Sequence, residues 1–220
     1  MAVEFYWGSG SPFAWRVMLT LEIKKVAYES KLLEFSKGEH KTPAYLQLNP
    51  RGKVPTLKDG NYILYESLAM MSYLDRKYPE PPLFGKTPEE TGLIWRELLE
   101  CESYIVGAGN KVVRPIFFGK GLDKVQEIQE AAQTLRDELR RIDGRLAGAN
   151  WLVGDDLSAA DIGVFPLVQL LLRAAAKEAA LPLNLGLLPL TQTFPHIARW
   201  VKRIEALPNY ERTYPPHWRQ

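Results

Sequence analysis

The stretch from Asn49 to Ser67 carries the residues best suited to binding chemistry, and Pro55 stands inside a strand-like run within it. A proline cannot donate to a sheet ladder, so it indicates a sheet edge or a special peptide bond. With a cis bond, the N–H and C=O of Val54 would face outward and pair with an extended peptide laid alongside. Ser67 begins the following helix, where free N–H groups and a hydroxyl suit a carboxylate. The stretch therefore predicts a peptide-binding edge beside an anion site.

A hairpin and a helix must position these residues. The sequence predicts a strand from Val54 to Leu57, a tight turn at Asp59-Gly60 and a partner strand from Tyr62 to Tyr65. A helix is then expected from Ser67 to Lys77, because Pro79 follows it.

The preceding residues predict alternating strands and helices. Ser11-Pro12 is a typical helix start, since the first helical position is where a missing proline N–H costs nothing. The order β-α-β-α-β-β-α is typical of a thioredoxin-like α/β domain, with parallel strands across the middle crossover and an antiparallel hairpin. The remaining predicted elements are a strand from Val3 to Trp7, a strand from Tyr28 to Leu33 and a short helix from Pro43 to Leu48.

The second half of the chain has only helical patterns. We predict a thioredoxin-like domain at residues 1–80, a proline-rich linker at 81–88 and an all-helical bundle domain at 89–220. Apolar steps of three and four predict a long helix from Asp123 to Leu146. Further helices are expected from Trp95 to Val106, interrupted by Gly107 and Gly109; from Val112 to Phe118, kinked by Pro115; from Ser158 to Leu172; and from about Phe194 to Ala206.

Composition and charge exclude several classes of function. Hydrophobic residues make up 46% of the chain and charged residues 25%, as in soluble globular proteins. A net charge of +2 argues against a nucleic-acid partner or an anionic membrane surface. The single cysteine, Cys101, excludes an internal disulfide framework, and the three histidines lack metal-ligand spacing. From this cysteine and histidine pattern we expect no metal site. With no apolar run of about 18 residues and no leader, we expect a cytoplasmic protein.

The run from Asn49 to Leu57 (Asn-Pro-Arg-Gly-Lys-Val-Pro-Thr-Leu) is followed by Asp-Gly, then Leu-x-Glu-Ser-x-Ala and Tyr-Leu. In this order and spacing, the motifs resemble the glutathione-binding half of the cytosolic glutathione transferases. The resemblance covers about the first 85 residues with specific motifs and the helical half more weakly. Ser-Pro-Phe-x-x-Arg-Val, which begins at Ser11, is similar to the segment of the serine-type classes (tau-, zeta- or theta-like, or a bacterial relative).

The resemblance implies that Ser11 meets the thiol of glutathione, with Ser9 as the alternative hydroxyl. A thiol ionises at about pH 8.5, and its thiolate is the nucleophile. Lowering that pKa by about two units requires about 2.7 kcal/mol. A hydrogen bond to a charged group contributes about 1.5–3 kcal/mol and a helix N-terminus about 0.3–1 kcal/mol, which together suffice. The alternative is that Ser11 only caps the helix beginning at Pro12.

The resemblance also assigns the two ends of glutathione. Ser67 and the helix N–H groups would take the γ-glutamyl carboxylate, and Glu66 its ammonium. Lys53 and Lys41, with His40 as a weaker third, match positions that meet the glycyl carboxylate. An ordinary helix start and solvated lysines are the alternatives. The Val54-Pro55 pair would provide the backbone edge between these ends.

The second-substrate side is less determined by the sequence. An apolar pocket between the two halves would draw on Phe13, Tyr104, Ile105, Val113 and Phe117, although each side chain fits equally well in a core.

Two further features of the sequence concern folding and redox chemistry. Ser158 and Asp161 match a structural motif of the helical half, so we assign them to folding rather than catalysis. Serine in place of the cysteine of glutaredoxin-like members argues against mixed-disulfide chemistry.

Two functions follow from the resemblance. The first is a glutathione transferase of detoxification type, which adds glutathione to an electrophilic apolar substrate or uses it for isomerisation or dehalogenation. The second is a scaffold or regulator of the same fold that binds proteins. Retention of Lys53, Val54-Pro55 and Glu66-Ser67 favours the enzyme. A homodimer is expected from the resemblance.

Overall fold

A computed structural model describes residues 3–219. Contacts divide the chain into two compact units, one made of the residues up to Leu83 together with those from Leu207 onward, the other of Phe84–Ala206. The sequence-based division placed all of residues 89–220 in the helical domain. The contacts instead assign the last residues to the first unit.

The first unit contains a four-stranded sheet in the order β2-β1-β3-β4. Strand β1 pairs in parallel with β2 and antiparallel with β3, and β3 pairs antiparallel with β4. The predicted thioredoxin-like order is therefore confirmed. The strands are β1 (Val3–Trp7), β2 (Tyr28–Leu32), β3 (Thr56–Asp59) and β4 (Tyr62–Tyr65), and the helices are α1 (Pro12–Ile23), α2 (Pro43–Leu48) and α3 (Ser67–Lys77).

Strand β3 begins two residues later than the pattern predicted. It starts at Thr56, directly after Pro55, because a proline has no N–H to give to the ladder. Asn49 stabilises the start of β3, since its side-chain amide donates to Thr56 Oγ1 at 3.1 Å.

The C-terminal tail packs on α1. It contains a short helix (Tyr210–Thr213). The indole N–H of Trp15 donates to Thr213 Oγ1 at 2.9 Å, and the Trp15 ring meets Tyr214 and Trp218 edge to face. These aromatic contacts attach the tail to the first unit.

The second unit is helical, as predicted, and its first long helix is continuous where the sequence indicated a break. Helix runs without interruption through Gly107 and Gly109, so the predicted interruption is wrong. A β-carbon at Gly109 would lie 3.4 Å from Leu171 Cδ2, so close packing between helices outweighs the intrinsic cost of glycine. Pro115 likewise lies inside a helix. The elements are α4 (Pro88–Glu100), a π-helical turn (Cys101–Ile105), α5 (Val106–Phe117), α6 (Val125–Arg145), α7 (Ala159–Ala175), α8 (Leu190–Thr193) and α9 (Pro195–Glu205).

A buried capping box begins α7. Asp161 is fully buried and accepts hydrogen bonds from Leu152 N–H at 2.9 Å, Ser158 N–H at 3.0 Å and Trp200 Nε1 at 2.8 Å. Ser158 Oγ also donates to it, at 3.1 Å, and accepts the Ala160 N–H. Burial outweighs these bonds and raises the pKa of Asp161 to about 6. The predicted folding role fits this geometry.

Candidate functional site

Ser11 stands at the end of the Gly8–Gly10 loop as the N-cap of α1. Its Oγ accepts the Ala14 N–H at 3.2 Å, and its own N–H donates to the Gly8 carbonyl at 3.1 Å. The residue is half-buried. A hydroxyl oxygen that accepts a bond still carries its own proton, and within residues 3–219 no acceptor is assigned to that proton. Capping the helix and donating to a sulfur are therefore compatible roles.

The alternative hydroxyl, that of Ser9, lies 2.6 Å from Nδ1 of His217 in the tail. It already has a close hydrogen-bond partner, whereas among residues 3–219 the Ser11 hydroxyl bonds only to its own helix.

The Val54-Pro55 bond is cis. The carbonyl just before it, that of Lys53, accepts the Tyr45 hydroxyl at 2.7 Å and the Asn49 amide at 2.9 Å. Among the residues that the structure describes, the Val54 backbone makes no hydrogen bond to another backbone group. The loop is thus held from one side while Val54 keeps its N–H and C=O for a partner.

Glu66 and Ser67 begin α3 in an unusual backbone geometry. Glu66 has φ +72°, a region that few non-glycine residues occupy and that often marks binding sites. Ser67 is 4% exposed, and its Oγ accepts both Nε of Arg16 at 2.9 Å and Nη2 at 2.6 Å. These two bonds use the acceptor capacity of the hydroxyl, so its proton is directed to another acceptor.

Arg16 is a residue of this site to which the sequence reasoning assigned no role. It is 3% exposed, and it connects α1, which Ser11 caps, to the first residue of α3. The motif beginning at Ser11 already contained this arginine, but spacing alone assigned it no partner. A buried guanidinium adds positive charge beside the expected carboxylate site.

Lys41 and Lys53 are exposed, and they flank Gly52. A β-carbon at Gly52 would lie 2.9 Å from Lys41 Nζ, and its φ of +55° also favours glycine. The structure thus brings Lys41 to the segment that carries Lys53. Nδ1 of His40 is buried without a hydrogen bond inside the described part of the chain, and its ring meets Phe35 edge to face.

The proposed pocket residues differ in exposure. Ile105 and Val113 are 3% and 9% exposed and belong to the core of the second unit. Tyr104 and Phe117 expose 53% and 40%. Phe13, in the first unit, lies under the Arg16 guanidinium at 5.0 Å. A pocket that combines these side chains stays a prediction.

Comparison with known proteins identifies the family. A model described as "Glutathione S-transferase, N-terminal domain" matches residues 10–77, and its C-terminal counterpart matches residues 109–208. "Glutathione S-transferase 4" of Zea mays is 33% identical over 94% of this chain and 89% of its own. The chain belongs to the glutathione S-transferase family.

Solved structures of the glutathione S-transferase family agree with the fold. The enzyme of the Antarctic clam Laternula elliptica matches with a TM-score of 0.85 and 31% identity, over 100% of this chain and 95% of its own. Glutathione S-transferase-I bound to lactoylglutathione matches with a TM-score of 0.79 and 25% identity, over 97% and 98%. Membership confirms the predicted family and favours the enzyme over the scaffold.

Residues 3–219 contain neither a membrane-spanning helix nor a cluster of metal-binding side chains. None of their helices is both long and apolar enough to cross a membrane. No group of three or more histidine, cysteine or acidic side chains among them is arranged to hold a metal ion.

Proposed function

We propose that this glutathione S-transferase ionises the thiol of glutathione with Ser11 and adds the sulfur to an electrophilic, largely apolar substrate. The pairing of Arg16 with Ser67 is the observation that carries this proposal. It joins the helix that starts at the thiol site to the helix start that suits a carboxylate. In a bound tripeptide, the γ-glutamyl carboxylate would thereby be held relative to the thiol of the central cysteine.

Two contributions favour the thiolate at Ser11. The hydroxyl donates its unassigned proton to sulfur, and the N-terminus of α1 carries partial positive charge. The thiol proton passes to solvent water, the thiolate attacks the electrophilic carbon, the C–S bond forms, and the leaving group departs with its electron pair. The same thiolate would be the nucleophile if the reaction is an isomerisation or a dehalogenation.

The remaining site residues bind the charged ends of glutathione. The γ-glutamyl carboxylate accepts from the Ser67 hydroxyl and the first N–H groups of α3, and the ammonium pairs with Glu66. Lys41 and Lys53, with His40 beside them, meet the glycyl carboxylate. The Val54 backbone pairs with the peptide between these ends, as a strand adds to a sheet edge. Phe13, Tyr104, Val113 and Phe117 would contact the apolar substrate.

We also propose a cytoplasmic homodimer, on the basis of family membership. Light scattering should give twice the chain mass of 25.0 kDa. A monomer mass would contradict the dimer and leave the chemistry untouched.

Calorimetry with glutathione and turnover of chlorodinitrobenzene test the function. The wild type should bind and turn over, whereas Ser11→Ala should bind with similar heat and lose most of its turnover. Ser158→Ala, a matched change at the other serine cap, should retain turnover. Absence of both heat and turnover in the folded wild type would favour the scaffold function.

A further inference from the structure

The C-terminal tail contacts the loop that carries Ser11. Nδ1 of His217 lies 2.6 Å from Ser9 Oγ. At Gly10, with φ +80°, a β-carbon would lie 2.6 Å from His217 Cε1 and 3.2 Å from Trp218 Nε1. Only glycine fits there, because the imidazole and the indole lie directly against the loop backbone.

Trp218, next to His217, anchors this part of the tail through an aromatic contact to α1. Trp218 is 9% exposed and meets Trp15 edge to face with ring centroids 5.4 Å apart. The backbone N–H of Trp15 donates to the Ser11 carbonyl at 3.0 Å, so this tryptophan lies one helical turn after the Ser11 cap. The imidazole is therefore fixed relative to the helix whose start it contacts.

The opposite side of the loop is also fixed. A β-carbon at Gly8 would lie 2.1 Å from Phe35 Cζ, so the Phe35 ring covers that glycine. Its carbonyl accepts the Ser11 N–H. With Phe35 on Gly8 and His217 on Ser9 and Gly10, the loop has little freedom to turn the Ser11 hydroxyl away.

We propose that His217 is a positioning residue for glutathione activation, acting through its hydrogen bond to Ser9. The bond holds the Gly8–Gly10 loop so that the Ser11 hydroxyl points to the sulfur. This inference rests on the function proposed for Ser11. It also explains the choice between the two serines: Ser9 holds the loop, and Ser11 donates to the thiol.

A double-mutant cycle tests the bond. His217→Ala and Ser9→Ala should each lower kcat about five- to tenfold, the loss expected for one hydrogen bond. The KM for glutathione should change less than about twofold, because residues elsewhere bind its charged ends. The double variant should be no slower than the slower single variant, since both changes remove one interaction.

Two variants separate positioning from general stability. His217→Asn keeps a hydrogen-bonding atom on the γ-carbon and should recover kcat to within about twofold of the wild type. Arg219→Ala, whose side chain contacts Glu211 and Tyr214 in the same tail, should leave kcat unchanged. Losses that multiply in the double variant, or an unimpaired His217→Ala, would overturn the proposal.

Hydrogen exchange without glutathione keeps this test independent of turnover. Amides of residues 9–11 should exchange about fivefold faster or more in His217→Ala than in the wild type or Arg219→Ala. Unchanged exchange would contradict the positioning role even if the enzyme were active. Faster exchange in a protein that fails to bind glutathione would support the loop contact and refute the proposed function.

Discussion

In the part of the chain that the structure describes, two helices begin at a serine N-cap, and the surroundings of the two serines differ. Ser158 is buried, and its capping box with Asp161 also takes donors from Leu152 and Trp200. Ser11 is half-buried and accepts a single bond, from Ala14. The hydrogen-bonding groups at the start of α7 are paired within the second unit. At the start of α1, the proton of the Ser11 hydroxyl and backbone N–H groups remain available to a ligand.

The comparison shows that a serine N-cap can contribute to folding at one helix and leave groups available for binding at another. A polar group that is fully buried and fully paired stabilises the fold, and its removal leaves its partners without bonds. A polar group at an open helix start contributes less to folding and remains available to an anion. Changes at Asp161 and Ser158 should therefore affect stability, and changes at Ser11 and Glu66 should affect turnover or binding.

The largest expected effect is that of Asp161→Ala. It removes the acceptor of four hydrogen bonds in a fully buried place, so the free energy of unfolding should fall by about 3–5 kcal/mol. Urea denaturation measures the loss, and turnover per folded molecule should stay near that of the wild type. A loss below about 1 kcal/mol would show that the α7 start is not satisfied as described.

Asp161 should also make stability depend on pH. Its pKa is about 6 in the folded protein and about 3.9 when unfolded, so the folded state binds more protons between those values. The contribution of Asp161 to the free energy of unfolding is fully present below about pH 4. It falls by up to about 3 kcal/mol as the pH rises through about 6. The unfolding free energy of wild type minus that of Asp161→Asn should decline across this range. A flat difference would contradict the raised pKa.

Ser11→Ala and Ser158→Ala make the comparison directly. Ser11→Ala should lower turnover about 10- to 100-fold, because a hydrogen bond to the thiolate is lost, and should cost about 1 kcal/mol of stability. Ser158→Ala should cost about 1–2 kcal/mol of stability and change turnover less than about twofold. Equal effects of both variants on turnover would remove the distinction between the two helix starts.

The smallest expected effect is that of Glu66→Gln. Glu66 is the N-cap residue of α3 but makes no side-chain cap bond, so the unfolding free energy should change by less than about 0.5 kcal/mol. The KM for glutathione should rise by up to about fivefold, as expected for one solvent-exposed charge pair. Ser67→Ala provides the contrast, since it also removes the acceptor of two Arg16 N–H groups and should lower stability.

Much of the fold could be predicted from local patterns. Strands β1 and β4 and helices α2 and α3 lie at the predicted residues, and the apolar stripe of α6 is buried. These elements depend on neighbours within a few positions, namely alternation, turn residues and caps. The break expected at Gly107 and Gly109 is absent, and at Gly109 the packing of α5 on α7 outweighs glycine's low helix propensity.

The sequence by itself determined which short segments form the elements and which residue types a glutathione site requires. The tertiary structure alone decided which side chains meet, because contacts between distant residues leave no periodic pattern. Arg16 reaches Ser67 across 51 positions, and Ser9 meets His217 across 208. Only the packing of α1 against α3 and against the tail brings these pairs within hydrogen-bond distance.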